Sequence, residues 1–444
     1  MNKDPICLLN DSFPPEIDGV ANAVVNYARQ LNAEGHDAFV VTPEYPGADD
    51  SGFDFPVIRY PGLDARESVG YMVGIPFAPQ VLEAVKQRGA ELLHSHCPIA
   101  STALARSLRR TLDVPLVMTY HTKFDIDIAN AVKGKLLQDS AIAALVGNIS
   151  GCDEVWVVSE GAGENLRSLG YQGDYIVMEN GVDVPKRRLP EDRVMELTKD
   201  CALPSDVPVF LFVGRLMWYK GLRIIIDALA ALRSQEIDFR MVFVGSGADS
   251  EEVKAYVTSL GLDDKIIFTG AVYDREALCA WYCRADLFLF PSTFDTNGLV
   301  VREAAACSLA SVLIKGSCAA EGVTNRQNGF LIEENAASLA VMLARFAGDR
   351  EMLRRVGQNA ADQLYISWAD AVSKASERYA VVIDNYRSGA YAKRSGAAED
   401  IFDLSGDLMK YFAESEKKRQ ETLKKIKTIK TRINELADSF ERYL

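Results

Sequence analysis

A repeated rhythm narrows the choice of fold at once. Short apolar runs, among them "ICLLND" (6–11), "AFVVTP" (38–43), "PLVMTYHT" (115–122) and "EVWVVSE" (154–160), are separated by amphipathic segments of helical period. Runs that are apolar throughout belong to strands covered on both faces. Strand, helix and strand in turn give parallel sheets between helix layers, an α/β class. The rhythm stops at residues 183–206, "DVPKRRLPEDRVMELTKDCALPSD", and resumes at "VFLFVGR" (209–215). That charged, proline-bearing stretch reads as the connection between two doubly wound domains. A helical segment runs from about residue 366 to Gly389, and from about residue 400 the pattern is helical alone.

A chain of 444 residues is long enough for two cores and appendages. No apolar run reaches the roughly 18 residues that suggest a membrane span. The formal net charge of −13 argues against nucleic acid as a partner, because phosphate binding needs a basic face. The N-terminal "MNKDPICLLND" lacks the apolar core of a signal peptide. Eight cysteines without a CxxC pair and four histidines give no zinc-like cluster, and Cys279 and Cys283 merely share a helix face. Reduced, buried thiols in a cytoplasmic protein are expected, with no metal site.

In open parallel sheets, ligands sit beyond the carboxyl ends of the strands, so the residues directly after each run are the candidates. Gly19, in "NDSFPPEIDGVANAV", opens a helix whose first amides can meet an anion, or else serves only the turn. "HSHCP" and "TYHTKF" place His94, His96 and His121 at strand ends as ligand-facing or structural residues, with His121 the most exposed. "FVGRLMWYKG" puts Arg215 and Lys220 past a strand, where fixed positive charge can neutralise a departing diphosphate or merely form surface salt bridges. Gly245 and Gly247 in "VGSG" do not complete a dinucleotide fingerprint, and no GxxxxGK[ST] loop occurs.

"STFDTNGLVVREAAA" (292–306) follows the run "LFLF". Its Asn297–Gly298 turn opens a helix, and the amides of Gly298, Leu299 and Val300 would face an anion there. Glu303 lies about a turn and a half farther in, within reach of hydroxyls on a group attached to that anion. Asp295 lies on the other side of the turn. The alternative is that both acids only complement the positive helix start.

Taken in order, "GVANAV", "HSHCP", "TYHT", "VSEG", "ENGVD", "GRLMWYKG", "VGSG", "FTGAV", "FPSTFDTNGLVVREAAA" and "NGFLI" make residues 5 to 385 resemble the family-4 retaining glycosyltransferases of the GT-B fold. The resemblance implies two Rossmann-like domains facing across a cleft. Residues 1–185 would form the acceptor domain, completed by helices at 366–389; residues 186–365 would bind a nucleotide-sugar donor, and 390–444 would be a helical tail. Glu303 would hold the ribose hydroxyls, and the turn at Asn297 with the amides of Gly298, Leu299 and Val300 the diphosphate. Arg215 and Lys220 would stabilise the leaving phosphate, with Val272 near the base and Asp295 at the sugar. Gly19 would close over the diphosphate and His121 stand beside the reacting sugar.

Two positions depart from the family's pattern. The first signature acid, normally Glu, is Asp295, one methylene shorter, which bears on the identity of the sugar. Glu179 precedes "NGVD" where the family usually carries proline or a small apolar residue. The resemblance further implies transfer of a hexose to a hydroxyl of a lipid or glycan with no metal or other cofactor, the leaving phosphate taking the acceptor's proton. An epimerase or hydrolase of similar fold, and a non-catalytic scaffold using the C-terminal helix, are the rival readings.

"TYHTKF" and the strand-end histidines are similar to the branch that glycosylates diacylglycerol and related lipids. Residues 417–432, "KKRQETLKKIKTIKTR", hold eight Lys or Arg and one acid, Glu421. Leu423, Ile426, Ile429, Ile433, Leu436, Phe440 and Tyr443 form an apolar stripe through 417–444. Such a helix suits a homodimer, its own acidic body, or the anionic inner face of the membrane, where a cytoplasmic protein would sit peripherally.

Overall fold

The computed structural model describes residues 4–16, 18–66, 72–199, 201, 203–391 and 397–441. Its first sheet takes β1 (Ile6–Leu9), β2 (Ala38–Pro43) and β3 (Val57–Tyr60). A short antiparallel pair follows, β4 (Gly62–Asp64) with β5 (Met72–Gly74). The first sheet then adds β6 (Leu92–Ser95), β7 (Leu116–Tyr120), β8 (Glu154–Val157) and β9 (Ile176–Val177). Its order is β3-β2-β1-β6-β7-β8-β9, with every pairing parallel. The strand side chains alternate between two cores. Cys7 and Leu9 join helices Pro79–Arg88 and Ala100–Leu112 on one face. Ile6 and Leu8 join helices Gly19–Ala33 and Trp368–Arg387 on the other. Burial on both faces is why these runs carry no polar alternation.

The second sheet is built from β10 (Val209–Val213), β11 (Arg240–Val244), β12 (Ile266–Gly270), β13 (Leu287–Phe290), β14 (Ser311–Ile314) and β15 (Phe330–Ile332). Its order is β12-β11-β10-β13-β14-β15. In each sheet the chain winds outward in one direction and then returns to the other side of its first strand. The two switch points therefore lie between β1 and β6 and between β10 and β13. Loops part there, and a crevice opens at the strand ends. The chain passes between the sheets twice, at neighbouring positions: the Val182 amide donates to the Ile366 carbonyl at 3.0 Å.

The C-terminal segment is one helix, Ala397–Glu441. Its first turns dock on helix Ala100–Leu112. Met409 is fully buried in the first domain's core, and Gly406 lies against the Ser107 carbonyl, where a Cβ would stand at 2.4 Å. Arg106 pairs with Glu399 at 2.6 Å and lies over the Phe402 ring. Of the apolar stripe, Leu423 is exposed; the side chains of Ile426, Ile429, Ile433, Leu436 and Phe440, and all of Tyr443, lie outside the described residues. Among the described residues, no helix is long and apolar enough to cross a membrane.

Candidate active site at the sheet switch points

The loops after β10 and β13 meet because of one glycine. Gly221, at φ +78°, follows the short helix Trp218–Lys220, and a Cβ on it would stand 2.0 Å from the Pro291 carbonyl oxygen. That approach brings the Lys220 ammonium to Asp295 Oδ1 at 2.5 Å, while Ser292 donates to Oδ2 at 2.6 Å. Lys220 is buried, with its ammonium near the rings of Tyr219, Phe290 and Phe294. Two of the predicted residues are thus partners of each other, which neither motif alone discloses. Arg215 is exposed on the same loop. Next to it, Leu216 donates to the Ser246 carbonyl at 3.1 Å, and a Cβ on Gly245 would stand 1.9 Å from the Gly214 carbonyl oxygen, so "VGSG" serves loop packing.

Gly298 opens helix Leu299–Ala306 at φ +60°, and no side chain caps that start. A Cβ at Gly298 would stand 3.0 Å from Ala319, so both conformation and space call for glycine. The amides of Leu299 and Val300 sit in the first turn, where the helix dipole favours an anion. Deeper in, Glu303 accepts a hydrogen bond from Tyr282 at 2.9 Å, and Arg275 stands 3.8 Å away. Burial raises the Glu303 carboxyl above its ordinary value. Val272 is half-buried against the second core, beside the exposed Tyr273.

The first domain contributes a buried chain of rings. His94 bonds Tyr379 at 2.6 Å and Thr119 at 2.7 Å, a structural role. Asn180 stands 3.4 Å from His121 Nδ1, and His121 Nε2 is 2.9 Å from His96 Nδ1. With Asn180 donating, the His121 proton sits on Nε2 and is donated to His96. His121 is buried, and its backbone carbonyl accepts from the Thr296 hydroxyl at 2.6 Å. At Gly19 the expected free amides are partly taken, because Asp18 accepts from Val20 and Ala21 at 2.8 and 2.7 Å.

Burial pushes His121 down to about 3 and His94 and His96 well below the usual histidine value. An unfolded chain protonates these rings near pH 6.5 while the folded chain does not, so stability falls as pH drops from about 6.5 toward 3. The urea midpoint is expected to be lower at pH 5 than at pH 7.5. Equal midpoints would show that the rings are not held neutral.

Several loop residues bind the two halves together, and the side chain of Asn297, expected at the diphosphate, is one of them. Asn297 donates to the Val158 carbonyl at 2.6 Å, and Ser159 donates to the Thr296 carbonyl at 2.5 Å. Glu321 accepts from the Glu160 and Gly161 amides at 2.9 and 2.7 Å, capping a first-domain helix from the second domain. Glu179 pairs with Arg302, which also donates to the Leu364 carbonyl at 2.9 Å. The unusual acid at 179 is therefore a strut from the interdomain crossing to the helix of Glu303. Ser159, Glu179 and Asn297 lie in the quoted motifs, but their interdomain partners depend on tertiary neighbours that no motif discloses.

Residues 17–186 match the model of Glycosyltransferase Family 4, and residues 195–363 that of Glycosyl transferases group 1. The chain belongs to the family-4 glycosyltransferases. Among its relatives is an alpha-monoglucosyldiacylglycerol synthase of Streptococcus pneumoniae, 25% identical over 68% of this chain and 69% of the relative. A GDP-mannose-dependent alpha-mannosyltransferase of Corynebacterium glutamicum is 25% identical over 85% of this chain and 89% of its own. The crystal structure of Anabaena Alr3699/HepE in complex with UDP and glucose shares the fold, with TM-score 0.67 and 20% identity over 84% of this chain and 99% of that one. This family-4 glycosyltransferase is thus an enzyme of two Rossmann-like domains in the GT-B arrangement.

Proposed function

We propose that this enzyme moves a hexose from a nucleoside diphosphate sugar to a hydroxyl of a lipid or glycan acceptor, with retention and without a metal. The observation that carries this reading is the meeting of Lys220 and Asp295 beside the uncapped start of helix Leu299–Ala306 at one switch point, with Arg215 exposed on the Lys220 loop. The two relatives named for alpha-linked products act on a diacylglycerol lipid and use GDP-mannose, respectively, and both descriptions support such a transfer.

The donor's diphosphate lies over the Gly298, Leu299 and Val300 amides beside the Asn297 turn, with the Gly19 loop opposite. Glu303 takes the ribose hydroxyls, and Val272 flanks the base. The bond from the anomeric carbon to the diphosphate breaks while Arg215 and Lys220 stabilise the charge that develops. The acceptor oxygen bonds to the same face of that carbon, and its proton passes to the departing phosphate oxygen. Asp295 holds a sugar hydroxyl. His121, neutral and anchored by His96 and Asn180, fixes the wall beside the sugar. Residues 1–185 with helix Trp368–Arg387 act as the acceptor domain, 186–365 as the donor domain and 390–444 as the tail.

Purified enzyme offered UDP- and GDP-hexoses with diacylglycerol, glucosyl-diacylglycerol and soluble glycan acceptors is expected to form an alpha-linked product in EDTA. Epimerised or hydrolysed donor without acceptor transfer overturns the reading, as does the absence of nucleotide-sugar binding by calorimetry. The basic residues 417–432, beyond the docked turns of the C-terminal helix, suit an anionic membrane surface. Ending the chain after residue 416 is expected to abolish sedimentation with phosphatidylglycerol vesicles and leave turnover of soluble acceptors unchanged. Undiminished sedimentation assigns the membrane contact elsewhere.

A further inference from the structure

The expectation of scattered cysteines fails at one place. Cys279 and Cys283, four residues apart on helix Arg275–Arg284, meet Cys307 at the end of helix Leu299–Ala306. Their three sulfurs lie within 4.8 Å of one another, and all three residues are buried. The sulfurs of Cys279 and Cys307 are 3.2 Å apart. Sequence spacing hid the group because its third member is 24 residues from the second, in a different helix.

We propose that these three thiols form a binding site for a divalent d10 cation, with Zn(II) as the ion and Cd(II) as its probe. Zinc–sulfur bonds of about 2.3 Å place three sulfurs about 3.8–4.0 Å apart around one ion. The Cys279–Cys307 pair, at 3.2 Å, would part by roughly 0.6–0.8 Å to reach that spacing, and the 4.8 Å within which all three sulfurs lie already admits it. Thiolates select soft and borderline cations over magnesium or calcium.

The surroundings suit the charge. Three thiolates and a divalent ion leave one net negative charge, and the Arg188 guanidinium lies alongside. It donates to the carbonyls of Cys283 at 2.5 Å and Cys307 at 2.8 Å. The Leu189 amide donates to the Cys283 sulfur at 3.3 Å, the kind of outer contact that orients a metal-bound thiolate. Binding releases three thiol protons to solvent and involves no redox change. The ion would tie together the two helices already joined by the Tyr282–Glu303 hydrogen bond. The site is thus a structural clamp behind the donor pocket, separate from the bond-making atoms.

The test uses the full chain, reduced and stripped of metal. Cd(II) is expected to bind with one-to-one stoichiometry and a sulfur-to-metal charge-transfer band, and Zn(II) to displace it and raise the Tm. Cys283→Ser and Cys307→Ser are expected to lose the band and the Tm shift, while Cys201→Ser keeps both. X-ray absorption of the Zn-loaded unmutated chain is expected to count three sulfur neighbours, a reading that needs no variant to fold. Fewer than three sulfurs, a band that survives Cys283→Ser, or formation of a Cys279–Cys307 disulfide without metal uptake overturns the proposal.

Discussion

Lys220→Ala is expected to lower kcat by about a hundredfold to a thousandfold, the usual effect of removing one preorganised charge from a developing oxyanion. The loss should fall mainly on kcat, because the diphosphate gains negative charge as the glycosidic bond breaks. Lys220 also has a structural task, since its ammonium holds Asp295 at 2.5 Å from a buried position. Removing it leaves a half-buried carboxylate supported by Ser292, at a cost in stability of about 1–3 kcal/mol, between the surface-pair and buried-pair values. The two tasks separate in Lys220→Ala/Asp295→Asn. Neutralising the acid should recover most of the lost urea midpoint while kcat stays low. If kcat returns together with stability, Lys220 is a strut for Asp295 and nothing more.

The same ion pair fixes where the shorter acid sits. Asp295 is held between Lys220 and Ser292, so its reach is set by the Gly221–Pro291 contact as much as by its own length. None of that was legible in "STFDTNGLV". The motif discloses a strand end, a turn and a helix start, because those depend on local sequence and on the rule that parallel strands present ligands at their carboxyl ends. The pairing of Lys220 with Asp295 spans 75 residues and depends on one glycine that lets two backbones touch. The His96–His121–Asn180 chain likewise draws on three loops of the first domain. The expectation of an exposed His121 fails, because His96, Asn180 and Thr296 close over it, neighbours that no single strand end reveals. The two-sheet architecture was plain because the central strands of both sheets are apolar and buried on both faces, whereas the tail's dock on helix Ala100–Leu112 rests on Gly406 and Met409, inconspicuous residues within a polar stretch.

Glu303→Gln should move stability and function in opposite directions. Burial raises the Glu303 carboxyl, so the folded chain holds this proton more tightly than the unfolded chain. Above the unfolded value, stability is therefore lost as pH rises through the raised one, and at neutral pH the ionised carboxylate is a net burden on the fold. A glutamine of the same shape still accepts from Tyr282 and removes that burden, so the Tm at pH 7.5 is expected to rise. The donor loses a charged acceptor for two ribose hydroxyls. At about 1.5–3 kcal/mol for a hydrogen bond to a charged group, KM for the nucleotide sugar should increase roughly tenfold to a hundredfold, with kcat much less affected. Uniform binding of ribose in ground and transition states requires that split. Tyr282→Phe removes only the orienting donor and should raise KM by a smaller factor. A Glu303→Gln enzyme that loses stability and keeps its KM would show the acid to be a structural partner of Tyr282 and Arg275, and would place the ribose elsewhere.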